Sequence, residues 1–256
     1  CGCIAAFALD RGLPIGAALS LAVAGGALCG LFNGILIAGL KLVPFIITLG
    51  SMTIFMGLGK ALSDQGGTIT PPRETIPEAL RSMVTQYPDP LWIPNTPLPN
   101  FGWGVWLTVA LAFLVAAVLH KTVLGRHIFA IGSSEAAARL CGVRVSATKV
   151  LVYALAGAFF GLAGCVDIAR LEKGDATAGL GLELEIIAAV VIGGGSLLGG
   201  RGSVVGTLCG VLIMGVINLG CTALELENQV ENILLGVIII AAVTVDRLRS
   251  RKAASA

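Results

Sequence analysis

The sequence has few charged residues for its length. Only 12% of its 256 residues are Asp, Glu, Lys or Arg, whereas a soluble domain carries about a quarter. Hydrophobic residues make up 56%, and the mean hydropathy is +0.92. Several apolar runs approach the ~20 residues that cross a bilayer as a helix. We therefore exclude a soluble domain and predict an all-α, polytopic transmembrane helical bundle.

Metal-ligand clusters and paired catalytic groups are missing as well. The seven cysteines are scattered, mostly inside apolar runs, and none has the CxxC spacing of a metal site. Cysteines of this kind usually serve as small packing residues. The two histidines, His120 and His127, flank a helix end without other ligands nearby. We expect no bound metal and no enzymatic activity in this chain.

The centres of the apolar runs lack ionisable residues, which argues against a proton-coupled transporter. The polar residues found there have two interpretations. They can make hydrogen bonds between helices, or they can line a path for a polyhydroxylated solute. The candidates for such a path, with one aromatic residue added, are Asn33, Phe45, Thr48, Ser51 and Asn218.

The apolar runs predict about eight crossings in a single transmembrane domain covering residues 1–256. They lie at residues 1–9, 13–40, 42–62, 104–120, 150–168, 185–198, 203–222 and 230–245. Two runs carry glycines at helical spacing, which lets another helix approach closely. These are Gly26, Gly30 and Gly34 in one run, and Gly157, Gly161 and Gly164 in the other.

The first residues form an apolar stub without an initiator Met or the charged start of a signal peptide. We expect the natural chain to begin upstream, with further N-terminal spans. Residues 63–103 are proline-rich and predict an extramembrane loop, with Trp92, Trp103 and Trp106 at the membrane interface.

The run at residues 185–198 is short, so it can either cross the membrane or re-enter on one side. Charge distinguishes the two. If it crosses, 11 of the 17 Lys and Arg residues share one side with only two of the 15 acidic residues. The positive-inside rule then places residues 121–149 and the C-terminus in the cytoplasm, and the 63–103 loop outside. Re-entry would move the basic tail outside and abolish this bias.

Residues 124–148 form a polar, basic island between two apolar runs. Ser133 or Ser134 can cap a short helix with Glu135 in its first turn and Gly142 at its end. A helix over residues 135–141 is too short to be stable alone and must be docked. It is either a docking element that a cytoplasmic partner moves, or an amphipathic helix that stabilises a loop.

A glycine-rich segment follows the run at 185–198. Its GSLLGGRG sequence from Gly195 approaches a phosphate-binding loop, but Arg201 replaces the lysine and Gly202 replaces the hydroxyl residue. We interpret it as a turn that breaks one span and lets short helices pack. The structural glycines are Gly193, Gly194, Gly195, Gly199, Gly200 and Gly202.

Three stretches together resemble the membrane permease subunit of bacterial ABC-type monosaccharide importers, the ribose, xylose, arabinose and galactose group. They are PFIITLGSMT from Pro44 into Leu62, the island from Leu124 through Val143, and the segment from Ala169 through Gly210. The last contains DATAGLGLELEIIAAVVIGGGSLLGGRGSVVGT. The resemblance extends over residues 42–246.

The resemblance implies a translocation subunit in the bacterial inner membrane, with a cytoplasmic C-terminus and surrounding lipid. Cytoplasmic ATPase subunits would hold ATP-Mg, so this chain would bind no cofactor directly. A periplasmic sugar-binding protein would deliver the solute, and a second copy or a sister permease would complete the pore. No nucleic acid is implied. The ATPase-coupling residues would be Ser134, Glu135, Ala136, Ala137, Arg139, Leu140 and Gly142.

Two alternatives stay open. The same transporter class can carry branched-chain amino acids, autoinducer-like furanoses, polyols or nucleosides. A channel or secondary transporter would work without an ATPase, and it predicts interrupted helices in both halves of the chain. Only one glycine-broken segment is evident in the sequence.

Overall fold

The computed structural model describes residues 1–40, 42–63, 67–72, 103–197, 199–225, 229–230, 233–234 and 236–244. Five of its helices are long and apolar enough to cross a membrane, which confirms the all-α, polytopic fold class. The helices are α1 (Gly2–Asp10), α2 (Ile15–Leu40), α3 (Pro44–Ala61), α4 (Trp103–Lys121), α5 (Val123–Ser133), α6 (Glu135–Leu140), α7 (Val145–Leu171), α8 (Leu182–Ile192) and α9 (Val204–Ala223). Two short strands are β1 (Thr68–Ile69) and β2 (Gly174–Asp175), and residues 236–244 are helical.

Most predicted spans match these helices within a few residues, but two differ. Helix α7 is longer than its predicted run at residues 150–168. Helix α8 begins at Leu182, three residues earlier than predicted, and ends before the first glycine of the turn. At 11 residues it measures about 16 Å, which is half of the ~30 Å hydrocarbon core.

The region at residues 121–149 was predicted as a cytoplasmic loop with one short helix, and the structure contains that helix together with a second one that was not predicted. It holds α5, α6 and the start of α7. Helix α5 forms because Thr122 caps it, its side-chain oxygen accepting a hydrogen bond from the Gly125 backbone nitrogen at 3.3 Å. Lys41, most of the predicted outer loop with Trp92, and the basic tail lie outside the described residues.

The chain divides into two compact units, and the single-domain organisation stays a prediction. The first unit contains residues 1–111 and 146–178. Its centre is a glycine contact between α2 and α7. A Cβ atom on Gly26 would overlap the carbonyl oxygen of Gly157, and one on Gly30 would overlap that of Tyr153. The two helices therefore touch through their backbones, as the glycine spacing predicted.

Helix α1 completes this unit. Ala5, Ala6 and Leu9 are buried in a core that also contains Ile168 and Cys165 of α7. Small side chains dominate this core, so its stability depends on close packing of backbones rather than on large apolar residues.

The two strands pair antiparallel, with Thr68 opposite Asp175 and Ile69 opposite Gly174. The Asp175 carboxylate accepts hydrogen bonds from the Thr177 backbone nitrogen at 2.8 Å and from its hydroxyl at 2.6 Å. These two bonds hold the pKa of Asp175 below its ordinary value. The carboxylate thus stays ionised and fixes the turn after β2.

The second unit contains residues 112–145 and 179–256. Helices α8 and α9 pack as a hairpin: a Cβ atom on Gly193 would overlap the Gly206 carbonyl oxygen, and one on Gly210 would overlap that of Ala189. Ala188, Ala189 and Met214 form the buried centre of the hairpin. Ile238 and Ile239 from the helical residues 236–244 pack against it.

Candidate functional site

Helices α5 and α6 meet at a single residue, Ser134. Its backbone is extended, with φ −159° and ψ 109°, so it ends α5 and caps α6 at once. Its hydroxyl accepts a hydrogen bond from the Ala137 backbone nitrogen at 3.3 Å. The predicted capping serine is thus Ser134, while Ser133 is the last residue of α5.

Helix α6 is short but well terminated. Glu135 and Arg139 form an ion pair at 2.6 Å, with an acid at the N-terminus and a base at the C-terminus as the helix dipole favours. The Arg139 side chain is 51% exposed and that of Glu135 is 39% exposed, so water screens the pair and it contributes about 0.3–0.5 kcal/mol. Gly142 takes φ +79°, and its backbone nitrogen donates to the Arg139 carbonyl at 3.0 Å.

The two sides of α6 differ in burial. Ala138 is buried at 3% exposure and anchors the helix on its own chain. Leu140 is 90% exposed, and Ala136, Ala137 and Cys141 are exposed as well. An apolar side chain is thus presented to the outside at the end of a docked helix.

The glycine turn, residues 193–202, has a defined conformation, although Leu198 lies outside the described residues. Gly194, Gly199 and Gly200 have φ values of +86°, +91° and +74°, which strongly favour glycine. The Ser196 backbone nitrogen donates to the Arg201 carbonyl at 3.0 Å and closes the turn.

The other glycines of the turn differ in their surroundings. A Cβ atom on Gly193 would meet α9, and one on Gly195 would lie 2.6 Å from Val190. A Cβ atom on Gly202 would make only an ordinary 3.6 Å contact. Gly202 is therefore the least constrained of the six predicted structural glycines.

The turn lies at the α6 end of this unit. Gly132, next to the last residue of α5, packs on Gly199 and Gly200. Arg201 follows these two glycines directly, so it lies at the end of the second unit that carries α5 and α6.

Three of the path candidates lie on α3. Phe45 is 62% exposed, Thr48 is partly buried, and Ser51 is buried at 4%. The Thr48 hydroxyl donates to the Phe45 carbonyl at 3.1 Å, and the Ser51 hydroxyl donates to the Thr48 carbonyl at 3.0 Å. These donors are used within their own helix, not between helices.

The other two candidates, Asn33 on α2 and Asn218 on α9, belong to different units. The side-chain oxygen of each is buried and has no hydrogen-bond partner within the described part of the chain. A buried acceptor without a donor costs about 1–3 kcal/mol. Each position is therefore a buried acceptor that lacks a partner among the described residues.

Sequence reasoning missed α5, although two signals were available. Thr122 is a favourable N-cap residue, and Leu124, Ile128 and Ile131 follow at helical spacing. The basic residues between them made the segment look like a loop. This helix carries α6 and contacts the glycine turn, so it belongs to the site.

A family model described as "Branched-chain amino acid transport system / permease component" matches residues 1–243. The ribose import permease protein of Bacillus subtilis is 41% identical over 226 residues, covering 85% of this chain and 64% of the relative. The fructose import permease protein of Rhizobium meliloti is 38% identical, covering 94% and 65%. The galactose/methyl galactoside import permease protein of Escherichia coli is 36% identical, covering 93% and 68%.

The chain therefore spans slightly less than two thirds of the length of the first two of these relatives. No solved structure matches the chain significantly.

Proposed function

The chain belongs to the branched-chain amino acid transport system / permease component family, and we propose that it is the translocation subunit of an ATP-driven sugar importer in a bacterial inner membrane. Separate cytoplasmic ATPase subunits hold ATP-Mg and drive the cycle. A periplasmic binding protein delivers a monosaccharide, and a second copy or a sister permease completes the pore.

The observation that carries this proposal is the exposed end of α6. A helix of six residues does not persist alone, and this one is fixed by the Ser134 cap, the buried Ala138 and the left-handed Gly142. Its outer face nevertheless presents Leu140 almost fully to solvent. An ordered helix with an uncovered apolar side chain suits docking to a partner protein.

The partner side is the cytoplasm in this proposal. The island carries Arg126, Arg139 and Arg144, Lys149 follows it directly, and the described part of the glycine turn carries Arg201. The positive-inside rule favours the cytoplasm for such a surface. An ATPase is a cytoplasmic partner that would use the docked helix to move the membrane helices.

A neutral, polyhydroxylated solute agrees best with the spans. The central turns of α2, α3, α4 and α9 contain no Asp, Glu, Lys or Arg. An amino-acid zwitterion would leave two charges without a partner there, whereas a sugar needs only hydrogen-bond acceptors and donors. The relatives named as ribose, fructose and galactose permeases support the same class of solute.

The experiment is to purify the tagged protein from its native host in mild detergent and identify what copurifies. We expect a stoichiometric ATPase, and ATP-dependent uptake of a labelled monosaccharide after reconstitution with a periplasmic monosaccharide-binding protein from the same host. Uptake of leucine instead of sugars would shift the solute class to amino acids. Uptake that persists without any ATPase would overturn the proposal in favour of a channel or secondary transporter.

The buried amides give a test of the solute path. We expect Asn33→Leu and Asn218→Leu to leave the melting temperature unchanged or slightly higher. Each replaces a buried oxygen that lacks a donor by an apolar side chain of similar volume. Sugar uptake should fall about five- to thirtyfold, which corresponds to the loss of one solute hydrogen bond of about 1–2 kcal/mol. Uptake kinetics and melting temperature in detergent measure the two effects separately.

The matched control is Thr48→Val, which removes a hydroxyl that already donates within α3. It should change uptake by less than about threefold. Normal uptake by both leucine variants would show that neither amide lines the path.

A further inference from the structure

The end of α5 and the glycine turn touch through their backbones. A Cβ atom on Gly132 would lie 2.5 Å from the Gly200 backbone nitrogen and 3.2 Å from the Gly200 Cα. One on Gly199 would lie 2.6 Å from the Gly132 carbonyl oxygen, and one on Gly200 would lie 2.8 Å from the Ser133 Cα. These distances are shorter than normal packing allows, so only glycine permits this approach. No flexible side chain separates the two segments.

The α5 side of this contact is continuous with α6. The Ser134 backbone nitrogen donates to the Ala130 carbonyl at 3.0 Å, and the Ala138 nitrogen donates to the Ser134 carbonyl at 3.0 Å. Hydrogen bonds thus run through the joint from one helix into the other. A displacement of α6 is therefore passed to Gly132 and Ser133 without a loop to absorb it.

The turn side is continuous with the α8–α9 hairpin. The bond from Ser196 to Arg201 closes the turn, and the Ser203 hydroxyl caps α9 by accepting from the Gly206 nitrogen at 3.0 Å. Gly193 and Gly210 then hold α8 and α9 together through backbone contacts. A displacement of Gly199 and Gly200 therefore moves the hairpin as one piece.

We propose that Gly132, Gly199 and Gly200 form a rigid seat through which the movement of α6 reaches the α8–α9 hairpin. This inference rests on the proposed function, since it takes α6 as the element that an ATPase moves. The three glycines are positioning residues: they bind neither ATP nor sugar. The seat gives the glycine turn a role beyond breaking a span, because it connects the partner-facing helix to the membrane helices.

Gly132→Ala tests the seat. In a free helix Gly→Ala increases helix stability, so a loss of coupled uptake in this variant would come from the contact with Gly200. We expect the variant complex to keep its ATPase and at least half of the ATP hydrolysis stimulated by loaded binding protein. Sugar taken up per ATP hydrolysed should fall about tenfold.

The matched control is Gly215→Ala on α9, where a Cβ atom would have nothing within 4 Å. It should keep both hydrolysis and uptake. Normal uptake per ATP in Gly132→Ala would overturn the seat. So would a parallel loss of hydrolysis and uptake, because a contact that only stabilises the fold would lower both together. If the wild-type protein shows no ATP-driven uptake, the proposed function fails first, and the seat fails with it.

A second measurement does not depend on that variant. Spin labels at Ala130→Cys on α5 and Val205→Cys on α9, both exposed, report the distance across the seat in a background without the native cysteines. A rigid seat predicts the same distance in nucleotide-free and vanadate-trapped complexes. A distance that changes between these states would overturn the rigid seat. This test remains possible even if the Gly132→Ala variant is not produced as folded protein.

Discussion

Leu140→Asp is expected to release the ATPase from this protein while leaving the permease folded. Leu140 is 90% exposed at the end of α6, so a carboxylate there breaks no buried contact. Its cost to the isolated chain is limited to the lower helical preference of Asp and the unfavourable helix dipole, together about 1 kcal/mol. At a protein interface the same residue would be desolvated, and a buried unpaired carboxylate is strongly unfavourable. We expect the affinity for the ATPase to fall at least about 100-fold, the range of an interface hot spot, and uptake to be lost.

The matched control is Leu140→Met, which keeps the apolar area and the helical preference. It should retain at least half of the wild-type uptake. The measurement is the amount of ATPase that copurifies with each variant, together with its melting temperature in detergent. Full ATPase recovery with Leu140→Asp would contradict the assignment of α6 as the docking helix. If Leu140→Asp lost the ATPase and also had a melting temperature well below that of the wild-type protein, Leu140 would be packed within its own chain and would not be a docking residue.

The spans could be predicted because a bilayer imposes a simple requirement. Apolar runs of about 20 residues are needed to cross it, and α2, α3, α4 and α9 follow that rule closely. The glycine faces were equally readable. Gly26, Gly30 and Gly34 share one face of a helix by spacing alone, and the partner run with Gly157 was the other candidate for close packing.

The start of α8 was less readable because its first turn is acidic. Hydropathy places Glu183 outside the span and Glu185 at its very start, yet acids are favourable at a helix N-terminus. Glu183 also accepts a hydrogen bond from the Gly181 backbone nitrogen at 2.9 Å. The β1–β2 pairing could not be predicted at all. It joins two-residue strands that are far apart in the chain, and no periodic pattern marks so short a strand.

The sequence alone could not show which of the six glycines in the turn most strictly require glycine. Gly199 and Gly200 need both a left-handed backbone and close contact with α5. Gly194 needs only the left-handed backbone, and Gly202 needs neither. The close contacts depend on which segment packs against each residue. For Gly199 and Gly200 that segment is α5, a helix that was not predicted because its basic residues resembled those of a loop.

Gly30→Val is expected to destabilise the first unit more than any single change of its exposed surface. A Cβ atom at Gly30 would overlap the Tyr153 carbonyl oxygen and lie 3.0 Å from the Gly157 Cα. Because both atoms belong to the backbone of α7, no side-chain rotation can relieve the overlap. The helices would have to separate, which removes the close contacts that hold membrane helices together where the hydrophobic effect does not.

Overpacking typically costs about 1–3 kcal/mol and more where backbones collide. We therefore expect the melting temperature of Gly30→Val in detergent to fall by roughly 5 °C or more. Gly39→Val is the matched control, since it lies on the same helix and a Cβ atom there would have nothing within 4 Å. Size-exclusion chromatography after heating measures both variants. If the two variants were equally stable, α2 and α7 would not pack through their glycines, and the small core of Ala5, Ala6 and Leu9 would have to hold this unit without them. That core contains too few large side chains to do so, and for this reason we expect the two variants to differ.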